Sequence, residues 1–117
     1  METKTFLKRV LGDDGFYCVC AFSDERRIQK LYPSIDVGVE ASKDLDGQGF
    51  DIYFGLSTFK TGQSRKADNV KNIRSFFLDL DCGPSKEYAT QKDALTDLSR
   101  FCKTLSLPKP VMVSSGN

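Results

Sequence analysis

The stretch Phe76-Phe77-Leu78-Asp79-Leu80-Asp81 decides the fold prediction, because an apolar run ends there in two carboxylates two positions apart. Such a run is typical of a buried strand, in which residues i and i+2 point to the same face. We therefore expect Asp79 and Asp81 side by side, where their like charges repel unless a cation neutralises them. Hard divalent cations prefer carboxylate oxygens, so the pattern favours a metal pair. The alternative is a solvated strand end whose carboxylates cap a turn at Gly83.

A second apolar run, Val111-Met112-Val113, leads into Ser114-Ser115-Gly116-Asn117. A helical stripe that begins after Thr90 separates the two runs, so the order strand, helix, strand predicts a βαβ-like crossover with parallel pairing. The carboxyl ends of such strands meet in a ligand crevice, which would bring Asp79 and Asp81 close to the second run's end. Backbone N–H groups and hydroxyls there are candidates to bind a phosphate, although an ordinary loop has the same composition. The candidate nucleotide-binding residues are Ser114, Ser115 and Gly116.

The rest of the chain alternates between helical and strand periodicity. We expect Asp24 to Lys30, which is highly charged, to be a solvated segment. The sequence thus predicts an α/β fold (an α+β mixed sheet) with central strands flanked by helices. The predicted helices are Thr5 to Leu11, a helix capped by Ser34, and the helix after Thr90; the predicted strands are Phe16 to Phe22, Phe50 to Ser57, Ile73 to Asp81 and Val111 to Val113. For the segment after Ser34 a strand is the alternative, because Ile35, Val37 and Val39 also alternate.

Composition narrows the function classes. The chain has 117 residues, a formal net charge of +1 and no histidine. It is therefore one domain or part of one, and it holds neither a Ser-His-Asp or Cys-His site nor a His-ligated zinc. The four cysteines have no zinc-motif spacing and are predicted to be small core residues. No membrane-length apolar stretch or secretory signal is present, which favours a cytosolic protein.

A local basic segment precedes the acidic run. Clustered cations bind the phosphates of nucleotides or nucleic acid strands, although a solvated loop is the alternative for such a composition. Tyr53 and Phe54 are aromatic residues that could stack on bases, with core packing favoured for Phe54. The candidate nucleic-acid-binding residues are Lys60, Arg65, Lys66 and Lys71.

In the order of these motifs the sequence resembles the archaeo-eukaryotic primase superfamily, in particular the primase-polymerases of phages, plasmids and other mobile elements. That family carries a hydrophobic strand ending in Asp-x-Asp, matched by Phe76 to Asp81, and then a helix. A Pro-containing loop follows, matched by Leu107-Pro108-Lys109-Pro110. The next strand runs into a Ser-Gly-x-Gly-x-His segment, whose beginning is matched by Ser115-Gly116-Asn117. The resemblance covers roughly residues 50 to 117 and includes Arg65 and Asn69.

The resemblance implies a DNA primase/polymerase that synthesises primers on single-stranded DNA by two-metal chemistry during replication of a phage or mobile element. Asp79 and Asp81 would be catalytic ligands of Mg²⁺ or Mn²⁺, and Ser115 and Gly116 would contact the triphosphate of the incoming nucleotide, next to the further candidate Ser114. The expected partners are a single-stranded DNA template, nucleoside triphosphates and a helicase domain. No membrane partner is expected, and the expected location is the cytoplasm of a bacterial host.

The family's histidine and its third acidic residue have no match here. Residues 1–117 are therefore expected to be a single domain, the N-terminal fragment of the catalytic module, and to be inactive alone.

Two other interpretations stay open. In a phosphohydrolase of the haloacid-dehalogenase kind, Asp79 would be the nucleophile and Asp81 the general acid. Cys82 and Gly83 depart from the residues those enzymes favour after the second aspartate. The third interpretation is a non-catalytic nucleic-acid-binding module of a replication protein. A Gly-x-His sequence after Asn117 would favour the primase.

Overall fold

A computed structural model describes residues 2–114, which fall into two compact units; the first ends at Phe76 and the second begins at Phe77. The described part contains three helices and four strands, which confirms the predicted α+β class. None of these helices is long and apolar enough to cross a bilayer. The helices are α1 (Thr3–Val10), α2 (Ile35–Gly47) and α3 (Gln91–Thr104), and the strands are β1 (Phe16–Phe22), β2 (Arg27–Tyr32), β3 (Asp51–Phe59) and β4 (Val70–Asn72).

The first unit is built around one antiparallel sheet in the order β2-β1-β3-β4. Strand β1 occupies an inner position and pairs with β2 on one side and β3 on the other. Cys18 is opposite Leu31 of β2, and Cys20 is opposite Tyr53 of β3. The residues from Tyr17 to Ala21 are all buried, because β1 lies between two strands and its side chains join a hydrophobic cluster on each face.

Each face of the sheet carries its own hydrophobic cluster. Tyr17 joins the cluster formed with α1 and α2, where its hydroxyl donates to the Gly12 carbonyl at 2.6 Å. Cys18, Cys20, Leu31 and Phe59 form the cluster on the opposite face. This alternation follows from the two-residue period of a strand.

Helices α2 and α3 begin where the sequence predicts, whereas α1 begins at Thr3, two residues before the predicted Thr5. Ser34 caps α2, because its hydroxyl accepts a hydrogen bond from the Val37 N–H at 3.2 Å. Thr90 caps α3 in the same way, with the Asp93 N–H as donor. Helix α1 packs against α2, and Lys4 forms an ion pair with Asp36 across them.

Within the described residues, the second unit consists of a turn, α3 and two segments without regular secondary structure. Gly83 adopts a φ of +148°, and its N–H donates to the Tyr88 carbonyl at 2.8 Å, which closes the predicted turn after Cys82. The Tyr88 hydroxyl donates to an Asp97 carboxylate oxygen at 2.6 Å and so ties this turn to α3. The buried residues of α3 are Ala94 and Cys102.

The predicted strands Ile73 to Asp81 and Val111 to Val113 are wrong, because neither segment belongs to a strand in the described residues. Strand β4 ends at Asn72, and the side chains from Ile73 to Leu78 are exposed except for Ser75. A β-strand needs a neighbour to accept its backbone hydrogen bonds, and apolar composition alone does not supply one. The parallel βαβ crossover is therefore wrong as well: every strand pair of the sheet is antiparallel.

The prediction that Asp24 to Lys30 is solvated is confirmed, since these side chains are exposed except for the half-buried Ile28, but the prediction overlooked β2. This strand lies at the sheet edge, and Leu31 is its one buried residue. Charged side chains are common on edge strands because they discourage pairing with other molecules. The charge that marked the segment as a loop therefore fits its edge position.

Gly15 provides a test of the fold. Its φ is +107°, and a Cβ placed there would lie 2.7 Å from the Phe59 backbone oxygen. We expect Gly15→Ala to lower the free energy of unfolding by about 1–3 kcal/mol through backbone strain. Gly47→Ala is the matched control: it lies in α2 with nothing near its Cβ, and alanine is the better helix former. Urea unfolding followed by circular dichroism measures both, and equal stabilities for Gly15→Ala and the wild type would contradict the close approach.

Candidate functional site

The second unit contains a cavity of about 400 Å³ whose wall includes both predicted metal ligands. Three parts of the unit contribute: the segment that ends in Asp81, the first turns of α3, and the segment that ends at Ser114. Residues far apart in the chain thus border one space, as the sequence predicted, although no strand delivers them. The lining residues are Leu78, Asp79, Leu80, Asp81, Cys82, Gln91, Ala94, Leu95, Leu98, Met112, Val113 and Ser114.

The turn after Cys82 positions this wall. The Cys82 thiol points back to the Leu80 carbonyl at 3.6 Å, and Cys82 forms an isolated parallel bridge with Tyr88. Because Tyr88 is hydrogen-bonded to Asp97, the turn is attached to the helix that forms the opposite wall. This local network determines where the two aspartates lie relative to α3.

Asp79 and Asp81 are both exposed. Strand alternation does not place them on one face here, since the segment is not a strand. The Asp81 carboxylate lies 3.8 Å from the Lys86 ammonium group. An exposed ion pair of this length contributes little to stability and leaves the carboxylate open to other cations.

The two carboxylates on the cavity wall are suited to bind a cation weakly. Within residues 2–114, no group of three or more His, Cys, Asp or Glu side chains is arranged to hold a metal ion. Two carboxylates fit part of the octahedral oxygen shell that Mg²⁺ prefers, and Mg²⁺ commonly keeps several waters and phosphate oxygens as its other ligands. The donor set is therefore compatible with Mg²⁺ or Mn²⁺ in the presence of a triphosphate.

Ser114 is the last described residue of the predicted phosphate-binding segment. Its hydroxyl accepts a hydrogen bond from the Gln91 side-chain amide at 3.2 Å. Gln91 is the first residue of α3 and was missed as a site residue, although the predicted N-cap at Thr90 indicated that the helix starts there. Ser115 and Gly116 lie outside the described residues.

The predicted nucleic-acid-binding residues lie in the first unit, and two of them, Lys60 and Lys71, are bound by a backbone carbonyl and a carboxylate of the same unit. Lys60 donates to the Asp68 carbonyl at 3.2 Å, and Lys71 forms a 3.1 Å ion pair with Asp14. Lys71 and Asn72 hold the pKa of the Asp14 carboxyl below its usual value. Arg65 and Lys66 are exposed on the loop between β3 and β4.

Asn69 organises that loop, a role the sequence did not reveal. Its side-chain oxygen accepts hydrogen bonds from the Thr61 N–H and hydroxyl, and its amide nitrogen donates to the Thr61 and Ser64 carbonyls. Its backbone carbonyl accepts from the Lys60 N–H at 2.8 Å. One side chain therefore fixes the basic loop, and Asn69 supports Arg65 and Lys66 indirectly.

The cysteines have the predicted structural role at three of four positions. Cys18, Cys20 and Cys102 are buried, whereas Cys82 is partly exposed on the cavity wall. Burial, followed by the neighbouring Cys20, raises the pKa of the Cys18 thiol to about 12. A thiol with so high a pKa stays protonated and unreactive near neutral pH.

Comparison of the chain with protein-family models, curated proteins and solved structures finds no match. Its function must therefore be inferred from the residues of the site and from the order of the sequence motifs.

The hydrogen bond between Tyr88 and Asp97 gives a pH-dependent prediction. The Asp97 carboxylate accepts a hydrogen bond from the Tyr88 hydroxyl, and this hydrogen bond is the main cause that raises the pKa of Tyr88 above its usual value. We expect the Tyr88 phenol of the wild type to stay protonated to higher pH than in Asp97→Asn. NMR titration of the tyrosine Cζ resonances measures this, with Tyr88→Phe assigning the signal. An unchanged Tyr88 titration in Asp97→Asn would contradict the link between turn and helix.

Proposed function

We propose that this chain is the N-terminal part of a primase-polymerase, a nucleotidyltransferase that synthesises primers on single-stranded DNA. The observation that carries the proposal is that Asp79, Asp81 and Ser114 border one cavity. The primase resemblance assigns Asp79 and Asp81 to the metal ions, and Ser114 directly precedes Ser115 and Gly116, to which it assigns the triphosphate. The order of the motifs along the chain predicts that these residues lie close together, whereas neither motif alone predicts it.

In the proposed reaction, Asp79 and Asp81 would hold Mg²⁺ or Mn²⁺ through their carboxylate oxygens. A bound cation supplies charge neutralisation for the triphosphate and for the attacking 3′-hydroxyl oxygen. Ser114 orients a phosphate oxygen through its hydroxyl, which Gln91 holds in place. The apolar side chains of Leu80, Leu98 and neighbouring wall residues limit the water around the reacting groups.

The proposed partners follow from this chemistry. The template is single-stranded DNA, whose phosphates attract Arg65 and Lys66 most directly, because Lys60 and Lys71 already have partners. Nucleoside triphosphates are the substrates, and a helicase domain in the same polypeptide or replisome supplies the unwound strand. Replication of a phage or mobile element in the cytoplasm of a bacterial host is the proposed setting.

Metal binding can be tested on the chain itself. We expect Mn²⁺ to bind weakly, and Asp79→Asn/Asp81→Asn to weaken that binding by about tenfold or more, because both carboxylate ligands are removed. Asp44→Asn/Asp46→Asn is the matched control: it makes the same charge change at the same spacing on exposed residues of α2. The free Mn²⁺ signal in electron paramagnetic resonance measures each isotherm. Identical isotherms for the wild type and the Asp79/Asp81 variant would show that these two carboxylates do not bind the metal ion.

Primer synthesis tests the reaction. We expect the longer parent protein to synthesise primers on single-stranded DNA with labelled nucleotides and Mg²⁺ or Mn²⁺, and residues 1–117 alone to be inactive. Asp79→Ala/Asp81→Ala in the parent should lower the rate by several powers of ten, because charge stabilisation at the transition state is lost. Asp44→Ala/Asp46→Ala in the same protein should retain the activity. A rate in the Asp79/Asp81 variant close to that of the wild type would exclude these aspartates from the mechanism.

A further inference from the structure

The sheet of the first unit has a face that its helices do not cover. Val19 and Tyr32 approach Gly38 of α2, so they mark the helix side. Residues that alternate with them in β1 and β2 point to the other side, as do their partners in β3. We call this side the open face, and define it by Phe22, Arg27, Gln29, Tyr53 and Arg65, the last reaching over it from the loop before β4.

An exposed aromatic pair lies on the open face. Tyr53 is 58% exposed, and β3 pairs there with β1 alone, because β4 reaches only Thr58 and Phe59. Its ring centre is 5.5 Å from that of Phe22, and the ring planes meet at 72°. This edge-to-face contact holds the tyrosine ring in a fixed orientation while more than half of its surface stays accessible.

Two arginines flank the aromatic pair. The Arg27 guanidinium carbon lies 5.2 Å from the centre of the Phe22 ring. The Arg65 guanidinium donates to the Cys20 sulfur at 3.5 Å, and Cys20 is the cross-strand partner of Tyr53. Neither arginine forms an ion pair within residues 2–114, although acidic side chains are plentiful in this chain. Both keep charge and donor groups available for an anion.

The combination of an accessible aromatic ring and flanking cations matches one class of ligand. Unpaired bases stack on aromatic side chains, while arginine pairs with the phosphates between them. A protein partner would have to bury both guanidinium groups and supply carboxylates for them, which is costly if the pairing is imperfect. Paired bases in a duplex present no free face to Tyr53.

We propose that the open face binds single-stranded nucleic acid, with one base stacked on Tyr53 and phosphates bound by Arg27 and Arg65. Gln29, beside Cys20 in the sheet register, is placed to hydrogen-bond a base edge. The proposal adds a binding surface for the template to the proposed function. The choice of DNA as the probe rests on that proposed function. Asp51, which the register places opposite Phe22, opposes binding by its negative charge.

The test is the fluorescence anisotropy of labelled oligothymidylate of about 20 nucleotides, titrated with the full chain at low salt. Tyr53→Ala should weaken binding roughly 5- to 150-fold, the range expected for the loss of one stacked base, while Tyr53→Phe should stay within about twofold of the wild type. Arg27→Ala should weaken binding and reduce the salt slope by about 0.7, as for one lost phosphate contact. Lys30→Ala, the control on the helix side of the same strand, should change neither, and Asp51→Asn should tighten binding.

Several results would overturn the proposal. Equal affinity of the wild type and Tyr53→Ala would exclude stacking on this ring, and equal affinity for the duplex would exclude recognition of unpaired bases. Light scattering that shows a dimer dispersed by Tyr53→Ala, without binding of oligothymidylate or oligouridylate, would assign the face to a second copy of the chain.

Asp79→Asn/Asp81→Asn separates this proposal from the proposed function. That variant should bind the oligonucleotide like the wild type. If binding depends on Tyr53 but the parent protein does not synthesise primers, the open-face proposal is supported and the polymerase proposal is refuted. If Tyr53→Ala leaves both primer synthesis and DNA affinity unchanged, the polymerase proposal is supported and the open-face proposal is refuted.

Discussion

The double pairing of β1 is the constraint on which the first unit depends. This strand makes backbone hydrogen bonds to β2 and β3, and its side chains contribute to the hydrophobic clusters on both faces of the sheet. A change in its register by one residue would turn Tyr17 and Cys18 to opposite faces of the sheet, so neither would fit the cluster on its new face. The close approach of Gly15 to the Phe59 backbone fixes that register at the point where the chain enters β1.

Local signals in the sequence predicted much of the first unit. Hydrophobic periodicity located α1, β1 and β3, and the caps at Ser34 and Thr90 located the starts of α2 and α3 because a side-chain hydroxyl bonded to a free N–H is a local interaction. Edge strand β2 was missed because its side chains face solvent, so its composition matches that of a loop. The apolar composition of Ile73 to Asp81 predicts a strand that the structure does not contain. Pairing depends on a second segment, and composition carries no information about that segment.

The candidate site shows a similar division. The convergence of Asp79 and Asp81 with Ser114 was predicted from the order of motifs, and they do border one cavity, but the parallel strands expected to bring them together are absent from the described residues. The turn at Gly83 and the hydrogen bond from Tyr88 to Asp97 perform that positioning instead. Contacts such as Gln91 with Ser114 or Asn69 with its loop join residues across turns, and a one-dimensional pattern does not reveal them. The assignment of residues 1–117 to a primase-polymerase module stays a prediction.

The unequal accessibility of the four cysteines has a practical consequence. Cys18, Cys20 and Cys102 are shielded, and Cys82 is partly exposed on the cavity wall directly after Asp81. Thiol reagents act on accessible thiols that can ionise. A maleimide dye or spin label therefore attaches selectively at Cys82 of the unaltered chain, and reports from beside the two aspartates without any engineered residue.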